Sequence, residues 1–180
     1  LGAYPQRQVG LSAVGAAAPL GRLTPAMLRG AAQLARELGD GSLRMTPWQS
    51  LLVPAIADQQ VATANAALAQ FGLLCSASEP LTRLVACTGS AGCAKALADT
   101  KGDAVHLARL LTCGAPLGVH LSGCTRSCAM AHVAPATLLA SAPGRYDLYL
   151  RDACEKGFGV LRARDLTLEE AGALLDARSR

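Results

Sequence analysis

Four cysteines stand in two pairs. In ACTGSAGCAKALADTK, residues 86–101, Cys87 and Cys93 have five residues between them; in HLSGCTRSCA, residues 120–129, Cys124 and Cys128 have three. Thiolates are soft ligands, and four of them complete either a tetrahedral zinc site or an iron–sulfur cubane. Structural zinc is gripped by tight knuckles in both pairs, for which the first gap is too wide, whereas a cubane is large enough to take a ligand from a broad loop. The spacing favours the cubane, with a zinc module and coincidental buried thiols as the rival readings. If CTRSCA opens a helix, Cys124 and Cys128 share one face, and the free N–H groups at its start point toward an anionic cluster. Gly89, Gly92 and Gly123, beside the cysteines, permit close backbone approach and N–H to sulfur bonds. Cys75, Cys113 and Cys154 fit no pair spacing and read as small buried hydrophobes.

Elements must deliver these sulfurs. QVGLSAVG reads as a strand. Thr24 caps a helix with Pro25 at its first position, apolar residues at helical spacing through Leu38, and Gly39 as a stop. SLRMTPWQSLLVPAI reads as one strand with Pro47 at an edge or bulge, and DQQVATANAALAQFGL as a second helix stopped by Gly72. After the cysteine loop, AKALADTKGDAVHLARLLTCG is helical in propensity with a break near Gly102. PLGVHLSG is a strand that hands over Cys124. ATLLASAPGRYDLYLRD is a hairpin turning at APGR, FGVLRARD is one more strand, and Thr167 with Glu170 forms a capping box for a terminal helix. The order predicts an α+β half domain over residues 1–74 and an α/β cluster domain over 75–180.

Composition narrows the function. Of 180 residues 51% are hydrophobic but only 3% aromatic, so the core is built from small aliphatics. The net charge of +4 comes from scattered arginines with no basic run and little aromatic interleaving, which argues against nucleic-acid binding. The longest uncharged stretch is broken by prolines and reads as no membrane span. LGAYPQRQVG lacks a signal-peptide pattern, so the chain reads as cytoplasmic, where paired cysteines bind metal more often than they form disulfides. Its first residue is Leu, which reads as a piece of something longer. No Walker loop, dinucleotide fingerprint or Ser–His–Asp order occurs.

The pattern Cys-x5-Cys, thirty residues, Cys-x3-Cys, with Thr88 after the first cysteine and Ser122-Gly123 before the third, resembles the sirohaem sulfite and nitrite reductase superfamily. PLGRLTPAMLRGAAQLARELGDGSLRMTPWQSLLVP is similar to its ferredoxin-like half domain, including the Thr-x-x-Gln at Thr46 and Gln49. Within the superfamily these stretches look most similar to the precorrin-3B synthases, oxygen-dependent enzymes of aerobic cobalamin synthesis. The resemblance implies a 4Fe–4S cluster on Cys87, Cys93, Cys124 and Cys128. It implies a tetrapyrrole between two pseudo-symmetric halves, only one of which is here, so that a second half domain pair is supplied in cis or in trans. Under the synthase reading the tetrapyrrole is the substrate, hydroxylated and lactonised by molecular oxygen with the help of a separate mononuclear non-haem iron. Under a sulfite or nitrite reductase reading it is sirohaem; a cluster-bearing electron-transfer module without a pocket is the non-enzymatic rival. Arg22, Arg44, Thr46, Gln49 and Thr88 occupy motif positions, and Arg126 lies between two cluster ligands; all six suit the carboxylates of a tetrapyrrole. Electrons come from a donor protein or an NADH-dependent reductase. Lys95 and His132 are weaker candidates, with His106 and His120 below them.

Overall fold

The computed structural model describes residues 1–112, 118–130, 134–151 and 157–178. Cys113, His132 and Cys154 lie outside them. The chain forms two compact units, Leu1–Thr82 and Arg83–Arg180.

In the first unit, strands β1 (Gly2–Pro5), β2 (Leu11–Ala17), β3 (Arg44–Met45) and β4 (Ser50–Ala57) form an antiparallel sheet in the order β1-β2-β4-β3. Helices α1 (Pro25–Leu38) and α2 (Val61–Gln70) pack on one of its faces. Thr24 caps α1 as its sequence demands, its hydroxyl accepting the Met27 N–H at 3.2 Å, and the helix ends at Gly39. Val14, Ala16, Leu51, Val53 and Ile56 from the sheet meet Ala31, Leu34, Ala35, Ala64 and Leu68 from the helices in a closed core. Small residues let the layers approach closely. At Gly30 a Cβ would lie 2.6 Å from the Phe71 ring.

Two expectations change here. The stretch read as one strand is a hairpin, β3 and β4, because Gln49 adopts left-handed backbone geometry (φ 57°) and reverses the chain between them. Strand β1 belongs to a segment that carried no strand signal.

The second unit has a mixed sheet: β5 (Leu84–Ala86), β6 (Val119–Ser122), β7 (Ala136–Ala142), β8 (Arg145–Leu150) and β9 (Val160–Leu166), in chain order. The first three strands run parallel and the last three antiparallel. Helix α3 (Thr100–Leu110) crosses over between β5 and β6, and α4 (Leu168–Ala177) follows β9; the two helices pack on each other. The β7–β8 hairpin turns at Pro143-Gly144, with Gly144 at φ 66°, and the Thr167–Glu170 capping box opens α4. The helix expected after Cys93 begins later, at Thr100. The Asp99 carboxylate accepts the Gly102 N–H at 3.3 Å and caps α3, so Gly102 lies inside its first turn and breaks nothing.

Leu84, Ala86, Val119, Leu121, Ala136, Leu138 and Tyr146 are buried on one face of this sheet, alternating with a second face that carries Val85, His120, Ser122 and Thr137. Tyr146 is wholly buried, and its hydroxyl donates to the Asp103 carboxylate of α3 at 2.5 Å. Burial first, then that carboxylate, pushes the phenol far above its ordinary range. On the other face His120 is 1% exposed and burial pushes its imidazole below the usual histidine value. Its Nε2 and the hydroxyl of Thr137, its partner across the strands, are both buried with no hydrogen-bond partner among the described residues.

The Tyr146–Asp103 bond ties β8 to α3, and a hydrogen bond to a charged acceptor is worth about 2 kcal/mol. Tyr146→Phe keeps the ring and loses that amount, read from the urea midpoint of circular dichroism; an unchanged midpoint would mean the bond adds nothing to stability. His120 gives a pH signature of known sign. Its folded form is held neutral, so protons bind the unfolded chain in excess once pH falls below about 6.5. Stability therefore drops from pH 7.5 to pH 5.5, and His120→Gln flattens that slope. Parallel slopes in the two proteins would assign the acid sensitivity elsewhere.

Candidate functional site

The cysteines are delivered by neighbouring parallel strands. Ala86 ends β5 opposite Leu121 of β6, and the Cys87 N–H extends the ladder by one bond to the Leu121 carbonyl at 3.2 Å. Both chains then leave the same edge of the sheet, the C-terminal edge of parallel strands where α/β folds gather ligands. Gly123 is the meeting point. Its N–H donates to Cys87 Sγ at 3.2 Å and its carbonyl accepts the Leu97 N–H at 2.9 Å. A Cβ at Gly123 would lie 2.6 Å from Ala96 Cβ and 3.4 Å from Cys87 Sγ, so only glycine lets the three segments close. The Ala96 N–H bonds the Cys93 carbonyl at 3.1 Å, which fastens the Cys93 turn to the same locus. Cys124 follows Gly123 directly, its carbonyl accepting the Ser122 hydroxyl at 2.7 Å.

Cys128 is exposed, and the helix expected from Cys124 onward is absent: the described residues 123–130 are bends and turns, with Ser127 at φ 54°. A left-handed L-residue cannot sit inside a right-handed helix, which is why the one-turn spacing fails. The N–H donated to sulfur comes instead from Gly123. All five described cysteines are free thiols. Among the described residues, no three of His, Cys, Asp and Glu are drawn tightly enough together to hold one metal ion.

Cys87 differs from Cys75. Burial pushes the Cys87 thiol up, but the Thr100 hydroxyl, the N–H groups of Gly123 and Gly89 and the Lys101 cation outweigh it and leave the thiol below its ordinary value. For Cys75 burial, with the Glu79 charge behind it, leaves the thiol above its ordinary value, and its Sγ faces the Asn65 carbonyl at 3.5 Å, in keeping with a packing role. An anion-stabilising setting suits a metal-bound thiolate. That setting is shown for Cys87; Cys93, Cys124 and Cys128 are thiols of the same soft donor type, the kind an iron–sulfur cluster takes.

The other motif residues divide between the units. In the first, the loop after β2 carries Arg22 and the β3–β4 turn carries Thr46 and Gln49. The Ala18 N–H donates to the Gln49 carbonyl at 3.1 Å, and a Cβ on Gly21 would lie 2.6 Å from the Gln49 amide oxygen, so these two loops are one structure. Thr46 and Ser50 share a hydroxyl bond of 2.6 Å, and Thr46 also accepts the Trp48 N–H at 3.3 Å. Arg44 stands opposite Leu52 on β4. On the helix-free side of this sheet Tyr4, Gly15, Thr46, Trp48, Ser50 and Leu52 line an apolar recess of about 280 Å³, with Trp48 81% exposed. In the second unit Thr88 and Arg126 are exposed beside the cysteines.

Sequence reading missed Thr100, Tyr4 and Trp48. Thr100 carries no spacing rule relative to Cys87; only the Asp99 cap, which fixes where α3 begins, could have signalled it. The recess needs a sheet register that no local pattern supplies.

Comparison with known proteins follows the same division. Residues 4–71 match the nitrite/sulfite reductase ferredoxin-like half domain. The chain is 37% identical over 140 residues to the chloroplastic ferredoxin–nitrite reductase of Zea mays, covering 74% of this chain and 25% of that one. It is 33% identical over 139 residues to the precorrin-3B synthase of a Sinorhizobium species, covering 71% and 30%. The NirA protein of Mycobacterium tuberculosis superposes with a TM-score of 0.78 at 28% identity, over 98% of this chain and 36% of that one. The chain thus spans about a quarter to a third of the proteins it resembles. No helix among the described residues is long and apolar enough to cross a membrane. Residues 4–71 thus match the nitrite/sulfite reductase ferredoxin-like half domain, and the structural likeness to NirA runs on through the cysteine-bearing unit.

Proposed function

We propose that this chain is the cluster-bearing part of a nitrite/sulfite reductase-type oxidoreductase. Cys87, Cys93, Cys124 and Cys128 hold a 4Fe–4S cluster, and Arg22, Arg44, Thr46, Gln49, Thr88 and Arg126 meet the carboxylates of sirohaem. The observation that carries this reading is the convergence of the Cys87 loop, the Cys93 turn and Cys124 on Gly123, with a backbone N–H already aimed at Cys87 Sγ. The cluster, when bound, supplies one-electron transfer. The chain's own groups do the rest: Gly123 and Thr100 stabilise negative charge on sulfur, and the arginines and hydroxyls fix the tetrapyrrole by charge-assisted bonds. A ferredoxin-class protein is the donor, by analogy with the maize relative. The remaining half of the pocket comes from chain that is not part of this sequence, in cis or in trans.

The two enzyme readings thereby change places, since the nitrite reductase likeness is the stronger. The synthase remains the second reading on the strength of the Sinorhizobium relative. Under it the tetrapyrrole is precorrin-3A, and molecular oxygen and a separate non-haem iron take part.

Anaerobically prepared chain is expected to contain iron and acid-labile sulfide. Cys87→Ala, Cys93→Ala, Cys124→Ala and Cys128→Ala each remove most of both, while Cys75→Ala retains them; retention in all four variants would end the cluster reading. Tight sirohaem binding in the visible spectrum, with nitrite or sulfite reduced by a dithionite-driven complete enzyme, supports the reductase. A hydroxylated lactone formed from precorrin-3A and oxygen instead assigns the synthase. Gly123→Ala costs about 1–3 kcal/mol of stability through the clash with Ala96, and lowers iron uptake several-fold. Normal iron content in that variant would show that the close approach at Gly123 is dispensable.

A further inference from the structure

Thr100 is wholly buried at the first position of α3. Its hydroxyl donates to the Cys87 carbonyl at 2.9 Å, and the same oxygen lies 3.4 Å from Cys87 Sγ. Gly89 (φ 72°) makes this approach possible, since a Cβ there would lie 2.7 Å from the Thr100 N and 2.9 Å from its Oγ1. The backbone is therefore shaped to bring this hydroxyl to this cysteine.

The hydroxyl carries one proton and faces two acceptors. While Cys87 is a thiol, its S–H can donate to the Thr100 oxygen, and the Thr100 proton rests on the Cys87 carbonyl. A thiolate or metal-bound sulfur can only accept, so it competes for that proton, and a hydrogen bond to the anionic atom is the stronger of the two. Being buried, the hydroxyl has no bulk water to turn to. We propose that Thr100 is a positioning residue that raises the reduction potential of the cluster held at Cys87, by donating its proton to Cys87 Sγ in proportion to the negative charge that sulfur carries.

This rests on the cluster reading above. A cluster held there would take up one electron from the ferredoxin-class donor with no bond formed or broken, and Cys87 Sγ would carry part of the added charge. A donor on one of those sulfurs stabilises the reduced state more than the oxidised one, so its removal lowers the potential.

The test is an anaerobic potentiometric titration of the full chain, followed by electron paramagnetic resonance, in wild type, Thr100→Val and Thr100→Ser. Valine keeps the shape without the hydroxyl, and serine keeps the hydroxyl. At the wild-type midpoint, Thr100→Val is expected to show a reduced-to-oxidised ratio roughly tenfold lower, the equivalent of about one net hydrogen bond. Thr100→Ser stays near wild type, and iron and sulfide content is the same in all three. Equal midpoints in wild type and Thr100→Val, both fully loaded, overturn the inference and leave the cluster reading intact. Wild-type chain that takes up no iron or sulfide overturns both. Should Thr100→Val fail to load, Thr100→Ala decides: a lowered midpoint supports the role, and an unchanged one overturns it.

Discussion

The close approach of three chain segments at Gly123 is the contact around which the cysteine-bearing edge of the second unit is built. It follows from parallel pairing. Because β5 and β6 run the same way and are in register, whatever follows Ala86 and Ser122 leaves from one edge. Parallel neighbours need a crossover, and α3 provides it, which brings the start of that helix back to the same edge. Cys87, the Cys93 turn, Gly123 and Thr100 are thus gathered by topology before any side chain is chosen. What the residues add is permission: no Cβ at Gly123 to push Ala96 away, and none at Gly89 to push Thr100 away.

The same edge explains why one cysteine is tuned and another is not. Cys87 stands where backbone N–H groups point out of the sheet and a buried hydroxyl abuts, so negative charge on its sulfur is stabilised despite partial burial. Cys75 faces carbonyl oxygens, which offer an anion nothing. Cys87 and Cys75, alike in chemical type, are set apart by the polarity of the groups around them.

Cap and turn signals in this sequence predict their elements, whereas spacing and strand patterns hold only where the backbone stays regular. Thr24 with Pro25, the Pro143-Gly144 turn and the Thr167–Glu170 box each act within a few residues, and each element they predict is present. The CTRSCA helix failed because one left-handed residue, Ser127, overrides a spacing that suits a helix. The single strand around TPWQ failed for a like reason at Gln49. Nothing in a string of letters marks an L-residue that will be held at positive φ. The burial of His120 and the reach of Thr100 to Cys87 depend on strand register and on where a crossover helix starts, and both are tertiary facts.

Gln49 carries that argument into the half domain. Holding a non-glycine residue in the left-handed region costs about 1–2 kcal/mol, and it persists only where the surroundings impose it. Here the Ala18 N–H grips the Gln49 carbonyl and Gly21, itself at φ 72°, leaves room for its amide. The result turns the β3–β4 connection, with Thr46 and Gln49, against the loop that carries Arg22, from more than twenty residues earlier in the sequence. A chain concerned only with folding would relieve the strain by placing glycine at position 49. Glutamine stands there instead, exposed, its side chain packed against Gly21 and not against the core.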